Sequence, residues 1–450
     1  MQKISKVRFE ALGAYCRKPE AQLFAEEVGW FQERDEQLLI TLIRDRSDDD
    51  FSSILLSRDI KKRYRWVGMT AFFSSSDEAL KAADKEIEKV IANLEGESHQ
   101  GDEKGRPVDF FTPVVKSEKL NRDFVSLTTQ EGYSPAKDII EPMMRWYEGA
   151  DGNFIEQFQT TGFDARIWEL YLFAMLVEAG YTLDRKEAIP DFSASGFFGD
   201  LCIEATTVNS TRDKQGAVVP PPPLDTEEQF LAFQREYMPI KFAGPLTAKL
   251  AKKYWERQNV EGKPLVFAIQ DFHAPMSMTR TRAGLSIYLY GYDHDWKKGA
   301  DGKLIITPRK VMTHKWGEKE IPSGFFNLPG AENISAVIAN TSATISKFDR
   351  IGVMAGFGSK RARLVRRGFA ADPNPNAELP KKFVMDVNST DYHETWIEGL
   401  DVYHNPKAKH PLSHDMFPGA AHHRLLKNGM VESLMPLWHP LSSQTLITIG

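Results

Sequence analysis

Cysteine is almost missing from this chain: Cys16 and Cys202 are the only two in 450 residues. That excludes a disulfide framework and any CxxC metal knuckle, and it points to a reducing compartment. Long apolar runs are missing as well. None approaches the ~18 residues that cross a bilayer, and the opening "MQKISKVRFEALGAYCRK" has no apolar segment of a secretory signal. Nor is there a basic excess. With 57 Lys and Arg against 62 Asp and Glu, the net charge is −5, so any contact with nucleic acid needs a local patch rather than a global field. The sequence contains no GxxxxGK[ST], no GxGxxG after a strand and no GxSxG elbow, so P-loop, Rossmann and serine-hydrolase chemistry have no support. The expectation is a cytoplasmic globular protein without membrane contact.

What is present divides the chain into three blocks. In residues 1–130, "EEVGWFQ", "EQLLITLIRD", "FSSILLSRD" and "YRWVGMTAFF" read as short strands between polar turns. "SSSDEALKAADKEIEKVIANL" reads as a serine-capped amphipathic helix, and the polar stretch 95–107 as a loop. This block is expected to be an α+β domain, with a role in specificity, partner binding or self-association left open. Residues 131–355 alternate helices with apolar strands, the α/β pattern. Helices are expected over "SPAKDIIEPMMRWYEG", "DGNFIEQFQ", "FDARIWELYLFAMLVEAGY", "EEQFLAFQREYMPIKF" and "GPLTAKLAKKYWERQ", and strands over "KPLVFAIQDF" and "ISAVIAN". The proline run 216–225 must be extended and superficial. Residues 356–450 are rich in Pro, Gly, Asn and His and read as a loop-rich extension.

Two segments carry the chemistry. "WELYLFAMLV", residues 168–177, is apolar on every helical face except at Glu169. A carboxylate on such a buried helix must be paired, protonated or beside a cation, and Arg166 is the nearest structural partner. "IPDFSASGFFGDLCIEATT", residues 189–207, reads as a hairpin turning at Gly196–Gly199. Alternation places Cys202, Glu204 and Thr206 on one face, and the hairpin can bring Asp191 beside Glu204. Two such carboxylates repel unless a proton or a divalent cation lies between them. A structural pair bonded to turn amides is the competing reading.

The ordered set of Glu169, Pro190-Asp191 and Glu204-Ala205-Thr206 resembles the PD-(D/E)XK nuclease superfamily, over roughly residues 160–275. The resemblance implies a restriction-endonuclease-like αβββαβ core and hydrolysis of phosphodiester bonds with Mg²⁺ or Mn²⁺. By family habit it also implies DNA as the polymer and a place in phage defence or mobile elements. It implies that Asp191, Glu204 and the Ala205 carbonyl hold the metal and that Glu169 holds metal-bound water or a second ion. This sequence departs from the pattern at Thr206, where the family has a lysine that orients the attacking water. Lys249, flanking the Leu246–Leu250–Tyr254 stripe of the 244–258 segment, is the best candidate to replace it. A solvated lysine face is the competing reading. Without a substitute, the fold would serve as an inactive nucleic-acid-binding or assembly subunit.

Two further features invite a role. "GFGSKRARLVRRGF" gathers Lys360, Arg361, Arg363, Arg366 and Arg367 beside glycines, a candidate track for a phosphate backbone. Seven of the eleven histidines lie beyond residue 390: His393, His404, His410, His414, His422, His423 and His439. His410 and His414 are four apart, but Pro411 interrupts any helix that could make them a zinc pair. The expectation is instead a histidine-lined loop packed through Trp396, Tyr403 and Trp438. A C-terminal zinc enzyme is the weakest of the functional readings. Oligomeric state is not legible.

Overall fold

The computed structural model describes residues 1–93, 96, 99–103, 105–147, 153–184 and 186–450. Strands β1 (Gln2–Lys3), β2 (Ala25–Glu33), β3 (Leu38–Asp45), β4 (Phe51–Arg58) and β5 (Tyr64–Met69) form an antiparallel sheet in sequence order. The helix Ser76–Ala92 covers it. Ser75 caps that helix by accepting the Glu78 N–H, and Ala79, Ala83, Ile87 and Val90 make its buried stripe. A sheet covered by a helix thus stands in this block, and Phe9, Leu12, Leu39 and Leu56 share one core with Ile139 and Met143 of the helix Ser134–Tyr147. Parts of the 95–107 loop and the C-terminal ends of two expected segments, at 94 and 148–149, lie outside the described residues, as does the start of "DGNFIEQFQ".

An eight-stranded mixed sheet forms the centre. Its strands are β6 (Thr182–Asp184), β7 (Phe192–Gly196), β8 (Gly199–Val208), β9 (Leu265–Asp271), β14 (Ala336–Asn340), β17 (Leu400–His404), β18 (Ala421–Leu425) and β19 (Val431–Leu434). The spatial order is β19-β18-β17-β14-β9-β8-β7-β6. β6, β7 and β8 are an antiparallel meander, and β8, β9 and β14 run parallel. The helix Phe163–Glu178 precedes the meander and the helix Met238–Leu250 joins β8 to β9, so the order along the chain is helix, three strands, helix, strand.

Side-chain alternation assigns the two faces. Ile203, Ala205, Val266, Ala268 and Ile338 pack under the helices Ser134–Tyr147, Phe163–Glu178 and Ile345–Met354. Cys202, Phe267, Ile269 and Val337 pack under Met238–Leu250 and Thr281–Tyr290 on the other face. Trp168 is fully buried, stacks on Tyr171 at 5.1 Å and donates its indole N–H to the Ala268 carbonyl at 3.3 Å. Fully burying a side chain of the Leu or Phe class stabilises by about 1.5–3 kcal/mol, so the stripe on the 163–178 helix holds it firmly on the sheet.

Three expectations are corrected. The segment read as the helix 227–242 contains a π turn at Phe233–Tyr237, two residues short of Pro239, whose missing N–H and bulky ring disturb the regular ladder. The segment read as a helix to residue 258 ends at Leu250. Lys253 takes φ 51°, and Tyr254–Glu256 form a separate 3₁₀ turn. The C-terminal block is not loop-rich filler: β17, β18 and β19 complete the central sheet. β15 (Ala362–Ala370), β16 (Lys381–Asp386) and β20 (Pro440–Ile449) make a second antiparallel sheet. The remaining strands form two hairpins: β10 (Tyr292–Lys298) with β11 (Leu304–Lys310), and β12 (Thr313–Trp316) with β13 (Lys319–Pro322).

Candidate active site

Local sequence makes the hairpin. Gly199 takes φ 118°, and a Cβ on Gly196 would lie 2.6 Å from the Tyr181 ring, so glycine is needed at both ends of the turn. The register Phe192↔Ile203 then places the preceding Asp191 level with Glu204. Asp191 Oδ2 accepts the Ala205 N–H at 2.7 Å. Glu204, only 5% exposed, accepts through Oε1 from the Lys249 ammonium and from the Tyr254 hydroxyl, the latter at 2.6 Å. Among the described residues, Asp191 Oδ1 and Glu204 Oε2 receive no hydrogen bond.

The electrostatics fit a site short of positive charge. Burial, then the charges of Glu204 and Glu169, push the Asp191 carboxyl up to about 7. The Ala205 amide and Lys249 pull the other way without prevailing. Glu169 is held by Arg166 at 2.7 Å and by the Tyr147 hydroxyl at 2.9 Å. The structural partner expected for Glu169 is thus present, and its charge reaches Asp191 as well.

Asp191, Glu204 and Ala205 are brought together, the Glu169 charge acts on Asp191, and Lys249 reaches Glu204 from the opposite helix. Thr206 lies two residues past Glu204, paired with Ile269. Tyr254 was legible only as part of a buried stripe. The helix breaks before it, so no helical spacing could aim it at Glu204.

The basic segment is corrected. It runs from a glycine turn into the strand β15, and alternation along the strand divides its charges. Arg361, Arg363 and Arg367 face solvent, and Lys360, just before the strand, is also exposed. Arg366 points inward and is fully buried, binding Glu398 at 2.6 Å within a cluster that includes Glu394, Arg350 and Lys347. Arg366 cannot touch a phosphate backbone. Arg361 bonds Glu131 and the Gly450 carbonyl, and Arg367 bonds Gln444.

The histidine expectation is corrected too. His393 and His410 are exposed, whereas His404, His422, His423 and His439 are buried on or beside sheet strands. Asp401 Oδ1 accepts from His423 at 3.0 Å and from His439 at 3.1 Å, while Arg282 grips the same carboxylate with two bonds of 2.7 Å. Tyr403 is itself a strand residue, stacked on His423 at 4.8 Å, and Trp438 packs on Phe383. His410 does not pair with His414; the neighbours of His414 are His404 and His422.

No family model, curated protein or solved structure matches the chain. No helix among the described residues is long and apolar enough to cross a membrane.

Proposed function

We propose that the chain is a metal-dependent nuclease, with Asp191, Glu204 and the Ala205 carbonyl as the metal-holding set. The observation that carries this reading is the pair Asp191 and Glu204, level across the hairpin, each with one oxygen tied by protein and one left over. An all-oxygen set with two carboxylates suits Mg²⁺ or Mn²⁺ rather than a softer ion. The raised Asp191 carboxyl fits it as well, because a cation would relieve the repulsion that now favours a proton. The helix–three strands–helix–strand order around the pair supports the restriction-endonuclease-like reading of the core.

A bound ion of this class would supply activation of water and neutralisation of charge at the phosphoryl oxygens. The chain's own groups do the rest. Lys249 brings the positive charge that Thr206 cannot, at the edge of Glu204, where an ammonium can orient an attacking water. Tyr254 fixes the Glu204 carboxylate from the buried side. Glu169, anchored by Arg166 and Tyr147, would hold a water near Asp191, on whose carboxyl its charge acts. In the hydrolysis, the water gives up one proton to solvent as its oxygen bonds to phosphorus, the bond to the leaving sugar oxygen breaks, and that oxygen takes up a proton from solvent. DNA as the polymer rests on the resemblance alone. The exposed Arg361, Arg363 and Arg367 offer a contact for its backbone.

A second reading has its own support. With Lys249 on Glu204, the acid is neutralised by protein, as in a structural ion pair. The chain would then be an inactive binding subunit of the same fold. Cleavage separates the two. Plasmid, linear duplex, single-stranded DNA and RNA should be offered with Mg²⁺ or Mn²⁺ to the wild type, Asp191→Ala and Glu204→Ala. Metal-dependent cutting lost in both variants supports the nuclease. Folded protein that cuts none of the substrates supports the binding subunit.

A further inference from the structure

Away from the carboxylates, three imidazoles converge at the far side of the sheet. His404 ends β17, His422 lies on the neighbouring parallel strand β18, and His414 sits on the 3₁₀ turn His414–Met416 in the connection between them. One ring nitrogen from each lies within 4.8 Å of the other two. His404 Nε2 and His422 Nδ1 are 2.9 Å apart. On a tetrahedral zinc with bonds of about 2.0–2.1 Å, two nitrogens stand about 3.3 Å apart, so this pair needs to open by only a few tenths of an ångström.

The tautomer of His422 is already arranged. Its Nε2 lies 3.2 Å from the Phe417 carbonyl, to which it can only donate, and so Nδ1 carries the lone pair that points at His404. Metal-binding histidines are commonly oriented by such a bond from the other ring nitrogen to a carbonyl. His414 Nε2 is a buried polar atom with no hydrogen-bond partner. A buried nitrogen left unpaired costs stability, and a bound ion would satisfy it. Three rings packed with centroids 4.5–5.2 Å apart cannot all be charged, and the neutral ring is the ligand form. The surrounding charges are mixed: Arg424 is unfavourable to a cation, while Asp415 and Glu432 act on His414 in the opposite sense.

We propose that His404, His414 and His422 bind one ion of the Zn²⁺ class. Nitrogen ligands without thiolate favour zinc and its neighbours over Mg²⁺, so this ion would differ from the one proposed between Asp191 and Glu204. A cavity of about 300 Å³, lined by Ser335, His404, Asn405, Pro411 and Arg424, adjoins the cluster. His404 is the one of the three that lines this space, and a water or small anion entering it beside Arg424 would be the fourth ligand. Three protein ligands with an open place resemble catalytic rather than closed structural zinc sites. The ion would also tie the 405–420 connection to both strands.

The test uses the full chain, free of any histidine tag, stripped with chelator and reloaded with Zn²⁺ or Co²⁺. The expected result is one tightly held ion per chain by elemental analysis, with the intense visible bands of four-coordinate cobalt. His414→Ala, in a surface-side turn, should weaken binding at least 100-fold while the chain stays folded. His410→Ala, four residues away and exposed, and Asp191→Ala should bind as the wild type does. Absence of bound ion in the folded wild type at micromolar Zn²⁺ would overturn the proposal. Equal binding by folded His414→Ala would overturn it too, because the ion would then sit elsewhere. Loss of the ion in folded Asp191→Ala would overturn it as well, because the ion would then sit at the hairpin; a failure to cut nucleic acid, by contrast, bears only on the nuclease reading.

Discussion

Replacing Asp191 with asparagine should stabilise the metal-free protein at alkaline pH. The side chain keeps its shape and can still accept the Ala205 N–H, but it no longer carries a charge that burial, Glu204 and Glu169 all oppose. The wild-type carboxyl is pushed up to about 7 in the folded chain, against about 3.9 when unfolded. A raised carboxyl makes the folded state the better proton binder, so this contribution to stability is greatest in acid. It is lost as pH rises towards the folded value. Three units correspond to about 4 kcal/mol held by the two carboxylates together, of which roughly 2 kcal/mol is lost between pH 5.5 and 8. Thermal melts in EDTA should show the wild type losing a few degrees relative to Asp191→Asn across that range. Mg²⁺ should restore the wild type at pH 8 and have little effect on the variant. Parallel curves for the two proteins would refute the electrostatic account of this pair.

Other consequences follow from the same geometry. Lys249→Met should lower cleavage at least 100-fold while Mn²⁺ binding, measured by calorimetry, stays equal or tightens, because the competing ammonium has left Glu204. Glu394→Gln should cost about 3–5 kcal/mol in urea unfolding at pH 7, since Lys347, Arg350 and Arg366 are all buried around that carboxylate. Those cations hold Glu394 well below the usual carboxylate range, so its contribution is present above about pH 4.3 and lost only as pH falls further, and the variant's deficit should shrink in acid. Charge reversal at Arg363 and Arg367 together should weaken nucleic-acid binding and flatten its salt dependence, measured by fluorescence anisotropy. The same change should leave cleavage of a short substrate at saturating concentration unaffected.

The parts of the molecule that were legible in sequence are those where one period dominates. The N-terminal strands, the capped helix Ser76–Ala92 and the Gly-turned hairpin each announce themselves by alternation, by a serine cap or by paired glycines. Lys249 was legible because Leu246 and Leu250 orient its helix against the strand that carries Glu204. The C-terminal strands were not, because polarity stands in for hydrophobicity there. In "AHHRL" two histidines are buried by bonding Asp401, Ser433, His404 and the Phe417 carbonyl, contacts that arrive from other strands and turns. Arg366 is indistinguishable in composition from Arg363 and Arg367. Only the pairing of β15 with β16 and β20 decides which of them points inward. The helix break at Lys253, a residue with no special propensity for φ 51°, hid the role of Tyr254.

The central claim is that a divalent ion belongs between Asp191 and Glu204. Anomalous diffraction from crystals soaked in millimolar Mn²⁺ tests it most directly. The account predicts a peak bonded to both carboxylates and to the Ala205 carbonyl at about 2.0–2.2 Å, with Lys249 displaced from Glu204 or sharing it. Glu204 still gripped by Lys249 and Tyr254, with no manganese at the hairpin, would contradict it.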